Sequence, residues 1–230
     1  LLNLAVGAEL PAGSVFKLVT ATGALNEGIV TPEQIIETPG TIEVTERFYA
    51  NDPGSPREFV DWIYRTRPDG FGALDFIHAV ANSSNVYFYK VGGGYRDEVD
   101  PGLGICRLGT YARALGYGEL PDGYAGLPLG YATPEVELPD TADGLIPDPT
   151  WKRINQGESW STGDTYIVSV GQGYALATPL QVLLSAATIA NNGRLMAPTL
   201  LYQIEDSQGS VIQPFQPQLR WDLTVDPIIQ

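Results

Sequence analysis

Leu10-Pro11-Ala12-Gly13-Ser14-Val15-Phe16-Lys17-Leu18-Val19-Thr20-Ala21 sets a hydroxyl and an amine three residues apart at the start of a helical pattern. Pro11-Ala12-Gly13 is a turn signal. Residues 14–26 then show Leu18, Ala21 and Leu25 at helical spacing, with Ser14 able to cap the start and Gly28 marking the stop. An offset of three puts Ser14 and Lys17 on one helix face. A lysine near a buried helix start gives up its charge readily and can then take a serine proton, while the helix N-terminus favours negative charge developing at the hydroxyl. The same residues are also compatible with a capping serine followed by a solvated lysine. Only Lys17, Lys90 and Lys152 occur in 230 residues, which makes a lysine at this place more informative.

Further along, Asp69-Gly70-Phe71-Gly72 breaks the chain before a second helical pattern of Leu74, Ile77, His78 and Ala81. Ser83-Ser84-Asn85 interrupts that pattern, and residues 86–91 resume it before Gly92-Gly93-Gly94. A polar triplet inside an apolar run either lines a cleft or ends one helix and caps the next. In the first case Ser83 relays a proton and Asn85 holds a substrate amide. His78 sits in the apolar pattern and is expected in the core, and Cys106 is expected to be a small buried apolar residue. Residues 35–44 suggest a small hairpin or a pair of short strands around Thr38-Pro39-Gly40-Thr41, and residues 57–67 a short helix or turn-rich loop.

Residues 114–151 hold no Lys or Arg, seven acids, and twelve Gly or Pro, which reads as a long acidic surface segment. Leu115, Tyr117, Leu127, Leu129 and Tyr131 are available to anchor it. Residues 165–193 are uncharged. Their helical part, residues 178–191, spans only ~21 Å against a ~30 Å bilayer core, so a core helix is expected. Thr178-Pro179 is a helix start and Asn191-Asn192-Gly193 an exit; two strands around Asp206-Ser207-Gln208-Gly209 follow.

Thirteen Lys plus Arg stand against 27 Asp plus Glu, a net charge of −14. No nucleic-acid partner is expected from this balance, because phosphate binding needs clustered cations. One cysteine rules out an internal disulfide. One histidine leaves little room for a His-rich metal site or for Ser-His-Asp chemistry.

The segment around Ser14-Val15-Phe16-Lys17 resembles the Ser-x-x-Lys element of penicillin-binding proteins, and Ser83-Ser84-Asn85-Val86-Tyr87-Phe88-Tyr89 resembles their Ser-x-Asn element with its aromatic helix. Gly163-Asp164-Thr165, Ser169-Val170-Gly171-Gln172-Gly173-Tyr174 and Ala177-Thr178-Pro179-Leu180-Gln181 resemble the class B, elongation-type penicillin-binding protein 2 group. So does Ile189-Ala190-Asn191-Asn192-Gly193-Arg194-Leu195-Met196-Ala197-Pro198. The resemblance is collinear from Leu1 to about Gly209. It implies an α/β (α+β) fold of the serine β-lactamase and penicillin-binding-protein transpeptidase type. Residues 1–230 would be part of one such domain, with the membrane anchor and the central antiparallel sheet largely outside the chain. The piece should then be helix-rich with short β hairpins.

The resemblance implies a peptidoglycan D,D-transpeptidase acting outside the cytoplasm, with Ser14 as nucleophile, Lys17 as base, Ser83 as proton relay and Asn85 as substrate-binding residue. It implies no cofactor. Its implied partners are the D-Ala-D-Ala stem peptide, β-lactams, a membrane glycosyltransferase and other elongation-machinery proteins. The family's third element, Lys-Thr-Gly, is absent from the chain, and Ser161-Thr162-Gly163 precedes the helix that the third element should follow. The chain alone is therefore expected to be inactive. Some relatives place a zinc cluster between the first two elements with a His and a Cys. Phe71 and Ser84 stand at those places, so no metal is expected. A non-turnover β-lactam sensor and a class D-like β-lactamase are the alternatives, and the Gly-Gln-Gly and Thr-Pro-Leu-Gln segments favour the transpeptidase.

Overall fold

Twenty-six glycines and 18 prolines in 230 residues cut the chain into short elements. A computed structural model describes residues 3–46, 51, 53–118 and 136–224. Its helices are α1 (Leu4–Gly7), α2 (Lys17–Asn26), α3 (Phe76–Asn82), α4 (Asn85–Gly93), α5 (Ile105–Ala114), α6 (Pro149–Gln156), α7 (Thr162–Ser169) and α8 (Pro179–Ala190). The chain divides into two compact units, one of residues 11–112 and 145–176, the other of residues 1–10, 113–144 and 177–230.

In the first unit α4 is buried nearly all round, from Val86 to Gly92. It crosses α7 at small residues. A Cβ on Gly92 would come within 2.4 Å of the Ser169 Cβ, and one on Gly93 within 2.4 Å of the Tyr166 ring. Ser169 Oγ donates to the carbonyl of Phe88 at 3.0 Å, and Thr20 Oγ1 of α2 donates to the carbonyl of Ser169 at 2.7 Å. Phe59, Tyr89 and Tyr166 pack ring to ring at 5.0–5.7 Å. Lys90, also buried, donates to the carbonyl of Glu37 at 2.7 Å and pairs with the Glu98 carboxylate. Lys152 of α6 donates to Asp164 of α7 at 2.8 Å.

Two antiparallel pairs flank these helices: Ile36–Thr38 with Gly72–Leu74, and Thr41–Glu46 with Ser55–Val60. The two stretches on either side of Pro39-Gly40 are thus the expected pair of short strands and not a hairpin, since each pairs with a later segment. Residues 57–60 end a strand, and the expected short helix is the 3-10 helix Trp62–Arg65 that follows.

The second unit contains α8, whose start is a reciprocal cap between Thr178 and Gln181 with Pro179 in the first turn. Gln181 Nε2 donates to the carbonyl of Asp143 at 2.7 Å, and Tyr117 and Ser185 share a hydrogen bond of 3.0 Å. Only one face of α8, Gln181, Leu184, Ser185 and Thr188, is buried, while Leu183 is 63% exposed. The expected core helix is therefore amphipathic in its contacts though not in its composition. Arg194–Met196 pairs with Leu219–Asp222, and Ile204–Glu205 pairs with Val211–Gln213 around the expected turn at residues 206–209. Every strand pair within a unit is short, so the mixture of helices and small antiparallel pairs is as expected.

Two expectations need correction, those for His78 and Cys106. His78 lies on the solvent face of α3, 67% exposed and bonded to Asp75 at 2.7 Å, because α3 buries Ala79 and not the histidine. Cys106 is exposed, since α5 turns its Leu108 and Tyr111 inward. Ser161-Thr162-Gly163 is the capped start of α7, with Ser161 and Asp164 capping reciprocally. Leu115 and Tyr117 are buried anchors; Leu127, Leu129 and Tyr131 lie outside the described residues.

Candidate active site

Gly13 opens the site at φ +64°, a conformation that glycine adopts without steric cost. Its N–H donates to the carbonyl of Gly171 at 2.7 Å. A Cβ on Gly171 would lie 2.2 Å from the Gly13 carbonyl oxygen, so the Gly-Gln-Gly segment is glycine where two backbones touch. The residues Gly13–Phe16 form a 3-10 turn that runs straight into α2. Ser14 therefore does not cap the helix with its side chain, as its place in the sequence suggested. It is exposed, while Lys17, one turn on, is 5% exposed.

Ser83, Ser84 and Asn85 are the joint between α3 and α4. Ser83 ends α3 in the left-handed conformation, φ 51°, which is uncommon for a serine. Ser84 caps α4 by accepting from the Tyr87 N–H at 3.2 Å, and Asn85 is the first residue of α4. The joint brings three acceptors to the Lys17 amine. Lys17 Nζ lies 3.0 Å from Ser83 Oγ, 2.6 Å from the Ser83 carbonyl oxygen and 2.7 Å from Asn85 Oδ1. Ser14 Oγ is 3.1 Å from the same nitrogen. All four residues singled out in the sequence meet at one atom.

Burial pushes the Lys17 amine down to about 8, with the negative charge of Asp61 working against that fall. The Phe88 ring lies 5.8 Å from Nζ. An amine at about 8 is neutral often enough at physiological pH to accept a proton from an adjacent hydroxyl. Chemically, this is a serine placed for nucleophilic attack, beside a base that can be neutral, with a second hydroxyl able to carry the proton onward.

Asp61 is the residue that the sequence reading missed. It is 2% exposed, and its side chain accepts from Ser84 Oγ at 2.7 Å and from the Val86 N–H at 2.9 Å. In sequence it is a plausible cap for the turn Trp62–Arg65, and nothing local ties it to residues 84 and 86. Phe71 packs against the Trp62 ring at 5.7 Å. Among the described residues no group of three or more His, Cys, Asp and Glu is placed to hold a metal ion.

The chain belongs to the penicillin-binding protein transpeptidase domain family, whose model matches residues 1–226. Among curated relatives it is 31% identical over 217 residues to the peptidoglycan D,D-transpeptidase MrdA of Salmonella typhimurium, covering 94% of this chain and 29% of that protein. Against the MrdA of Haemophilus influenzae it is 33% identical over 213 residues, 93% of this chain and 27% of the relative. The chain thus spans about three-tenths of the length of the curated relatives it matches.

Solved structures agree. Pseudomonas aeruginosa PBP2 in complex with WCK 5153 matches 96% of this chain and 42% of its own, at TM-score 0.72 and 26% identity. PBP2 of Helicobacter pylori, solved in complex with MreC, matches 96% of this chain and 33% of its own, at TM-score 0.68 and 29% identity. A chain from a peptidoglycan synthase complex that coordinates polymerization and crosslinking matches 95% of this chain and 30% of its own, at TM-score 0.67 and 31% identity.

Proposed function

We propose that this chain carries the acylating half of a peptidoglycan D,D-transpeptidase site and is part of one transpeptidase domain. The observation that carries the reading is the convergence of Ser14 Oγ, Ser83 Oγ and Asn85 Oδ1 on Lys17 Nζ, at 3.1, 3.0 and 2.7 Å. Neutral Lys17 takes the Ser14 proton as Ser14 Oγ attacks the carbonyl carbon between the two D-Ala residues of a stem peptide. The Ser14 N–H serves as one oxyanion donor. The tetrahedral adduct collapses with cleavage of the peptide bond, and the departing D-Ala amine receives its proton from Ser83 Oγ, which Lys17 reprotonates. The acyl-Ser14 ester is then attacked by an amine on a neighbouring strand. Asn85 holds the substrate amide. β-Lactams acylate Ser14 by the same attack.

The wider setting in this reading is an anchored protein whose transpeptidase domain lies outside the cytoplasm, working beside a glycosyltransferase and other elongation-machinery proteins; a PBP2 solved with MreC and a peptidoglycan synthase complex among the similar structures support it. Among the described residues no helix is long and apolar enough to cross a membrane.

Ser14→Ala in the protein that carries this chain should abolish labelling by a fluorescent penicillin without loss of fold, because Ser14 makes no helix cap. Mass spectrometry placing the adduct on Ser83, or labelling that persists in Ser14→Ala, overturns the assignment. Nitrocefin separates the alternatives: a transpeptidase is trapped as an acyl-enzyme, whereas steady turnover means a β-lactamase. Transfer of the acyl group to an added amine separates a transpeptidase from a sensor.

A further inference from the structure

We propose that Asp61 is a positioning residue for this site, a buried carboxylate that holds the Ser83-Ser84-Asn85 joint in register; the proposal rests on reading Ser14 and Lys17 as the acylating pair.

The joint is gripped from two sides in strict alternation. Residues 82, 84 and 86 bind the segment at Asp61 and Trp62. The Trp62 indole N–H donates to the Asn82 carbonyl at 3.1 Å, Ser84 Oγ donates to Asp61 Oδ2 at 2.7 Å, and the Val86 N–H donates to the same oxygen at 2.9 Å. Residues 83 and 85, in between, turn the other way and present their oxygens to Lys17 at 2.6–3.0 Å. Ser83 holds a left-handed φ of 51° at the centre of this grip, a conformation that the surroundings must enforce. Asp61 is itself fixed: its N–H donates to the Gly40 carbonyl at 2.8 Å, and its Oδ1 accepts from the Ile63 N–H at 3.4 Å.

The carboxylate also acts at a distance. It is buried, its hydrogen-bond donors here are neutral, and its charge opposes the loss of the Lys17 proton. The other groups facing Lys17 are uncharged: Ser14 from its own turn, Ser83 and Asn85 from the joint, and the Phe88 ring from α4. Tyr89 also feels Asp61: its hydroxyl is pushed up to about 12 by burial and then by Asp61, while Arg57 pulls Tyr89 the other way. Geometry and charge can therefore be separated by substitution.

Ser84→Ala removes a hydroxyl that binds Asp61 and leaves the carboxylate in place. Asp61→Asn keeps a side chain of the same shape, whose amide oxygen can occupy the Oδ2 position while the weaker Ile63 contact is given up, and removes the charge. Both variants are made in the protein that carries this chain and read by three measurements: the penicillin acylation rate against pH, hydrogen exchange at the Val86 and Tyr87 amides, and direct titration of the Lys17 amine by NMR. Ser84→Ala should slow acylation by about tenfold to a hundredfold, the scale produced by misplacing a reacting group by up to ~1 Å, and should speed exchange at both amides while the Lys17 titration stays put. Asp61→Asn should leave Val86 protected and move both the Lys17 titration and the rising limb of the acylation profile to lower pH. A wild-type titration and profile in Asp61→Asn, or unchanged exchange and rate in Ser84→Ala, overturns the proposal. Should wild-type protein fail to acylate while exchange and titration behave as expected, the nucleophile assignment falls and the positioning role stands.

Discussion

Lys17 is the residue on which the proposed chemistry turns, and its burial has a thermodynamic consequence. Its amine titrates at about 8 in the folded chain against an ordinary 10.5. A lysine whose folded value is depressed disfavours the folded state while it is protonated. That penalty is full below about 8, is relieved as pH rises from about 8 to about 10.5, and vanishes above the unfolded value. Lys17→Met carries no such penalty. Thermal melts of wild type and Lys17→Met should therefore diverge in favour of the variant near neutral pH, with the gap narrowing as pH rises through that window. A gap that does not vary with pH would mean that Lys17 titrates as a solvated lysine. Lys17→Arg keeps the charge but stays protonated at every accessible pH, so penicillin acylation should be lost even where the protein folds. Retained acylation in that variant would remove Lys17 as the base. On the proposed reading function draws on this penalty: a site built around a destabilised amine exchanges stability for activity.

At the scale of elements, α4 does most to place the site, and its crossing with α7 is set by glycine. Alanine at position 92 raises intrinsic helix propensity by about 1 kcal/mol. Its Cβ would nonetheless sit 2.4 Å from the Ser169 Cβ, and Ser169 is fixed by bonds to Phe88 and Tyr166 and by Thr20. Overpacking of this kind costs about 1–3 kcal/mol. Gly92→Ala should thus lower the denaturation midpoint in a urea melt; a midpoint at or above wild type would show that the helices can part without cost. The same elements show what the sequence reveals. Ser14, Lys17, Ser83 and Asn85 were picked out because each lies in a short linear pattern, ambiguous by spacing alone, that resembles a family element; the fold brings their side chains together. Asp61 was not picked out, since its partners are 23 and 25 residues away. For a similar reason the sequence leaves open whether residues 35–44 make a hairpin or two separate short strands. Gly40 reads as a turn residue, but a Cβ there would lie 2.1 Å from the Pro68 carbonyl oxygen, so this glycine serves a close backbone approach by a later segment. His78 fell on the wrong face because helical spacing fixes the period of α3 and leaves its rotation to the packing of Ala79.

Across the whole chain the distribution of cations is uneven. The chain has three lysines, and all three are buried: Lys17, Lys90 and Lys152 are 5%, 2% and 4% exposed. Each sits among acceptors within the unit of residues 11–112 and 145–176, but to different ends. Lys90 is paired with Glu98 and lies over the Tyr95 ring at 4.6 Å. Lys152 is held above the ordinary lysine value by Asp164 and Glu158, whose bonds outweigh its burial. Lys17 alone of the three has no carboxylate in its hydrogen-bonding shell here, and it opens onto the exposed Ser14. Amine reagents act on the neutral form, so lysine reactivity reads both access and proton affinity. Reductive methylation of folded protein at a pH of about 8 should modify Lys17 first and block penicillin acylation in proportion. Prior acylation by penicillin should in turn shield it. Lys90 and Lys152 should react only as fast as the unit opens, and both should become reactive at the denaturant concentration where the melt occurs. Peptide mass spectrometry over a time course makes the comparison. If Lys90 or Lys152 keeps pace with Lys17 in the absence of denaturant, their ion pairs do not close them off, and the contrast between one working lysine and two structural ones fails.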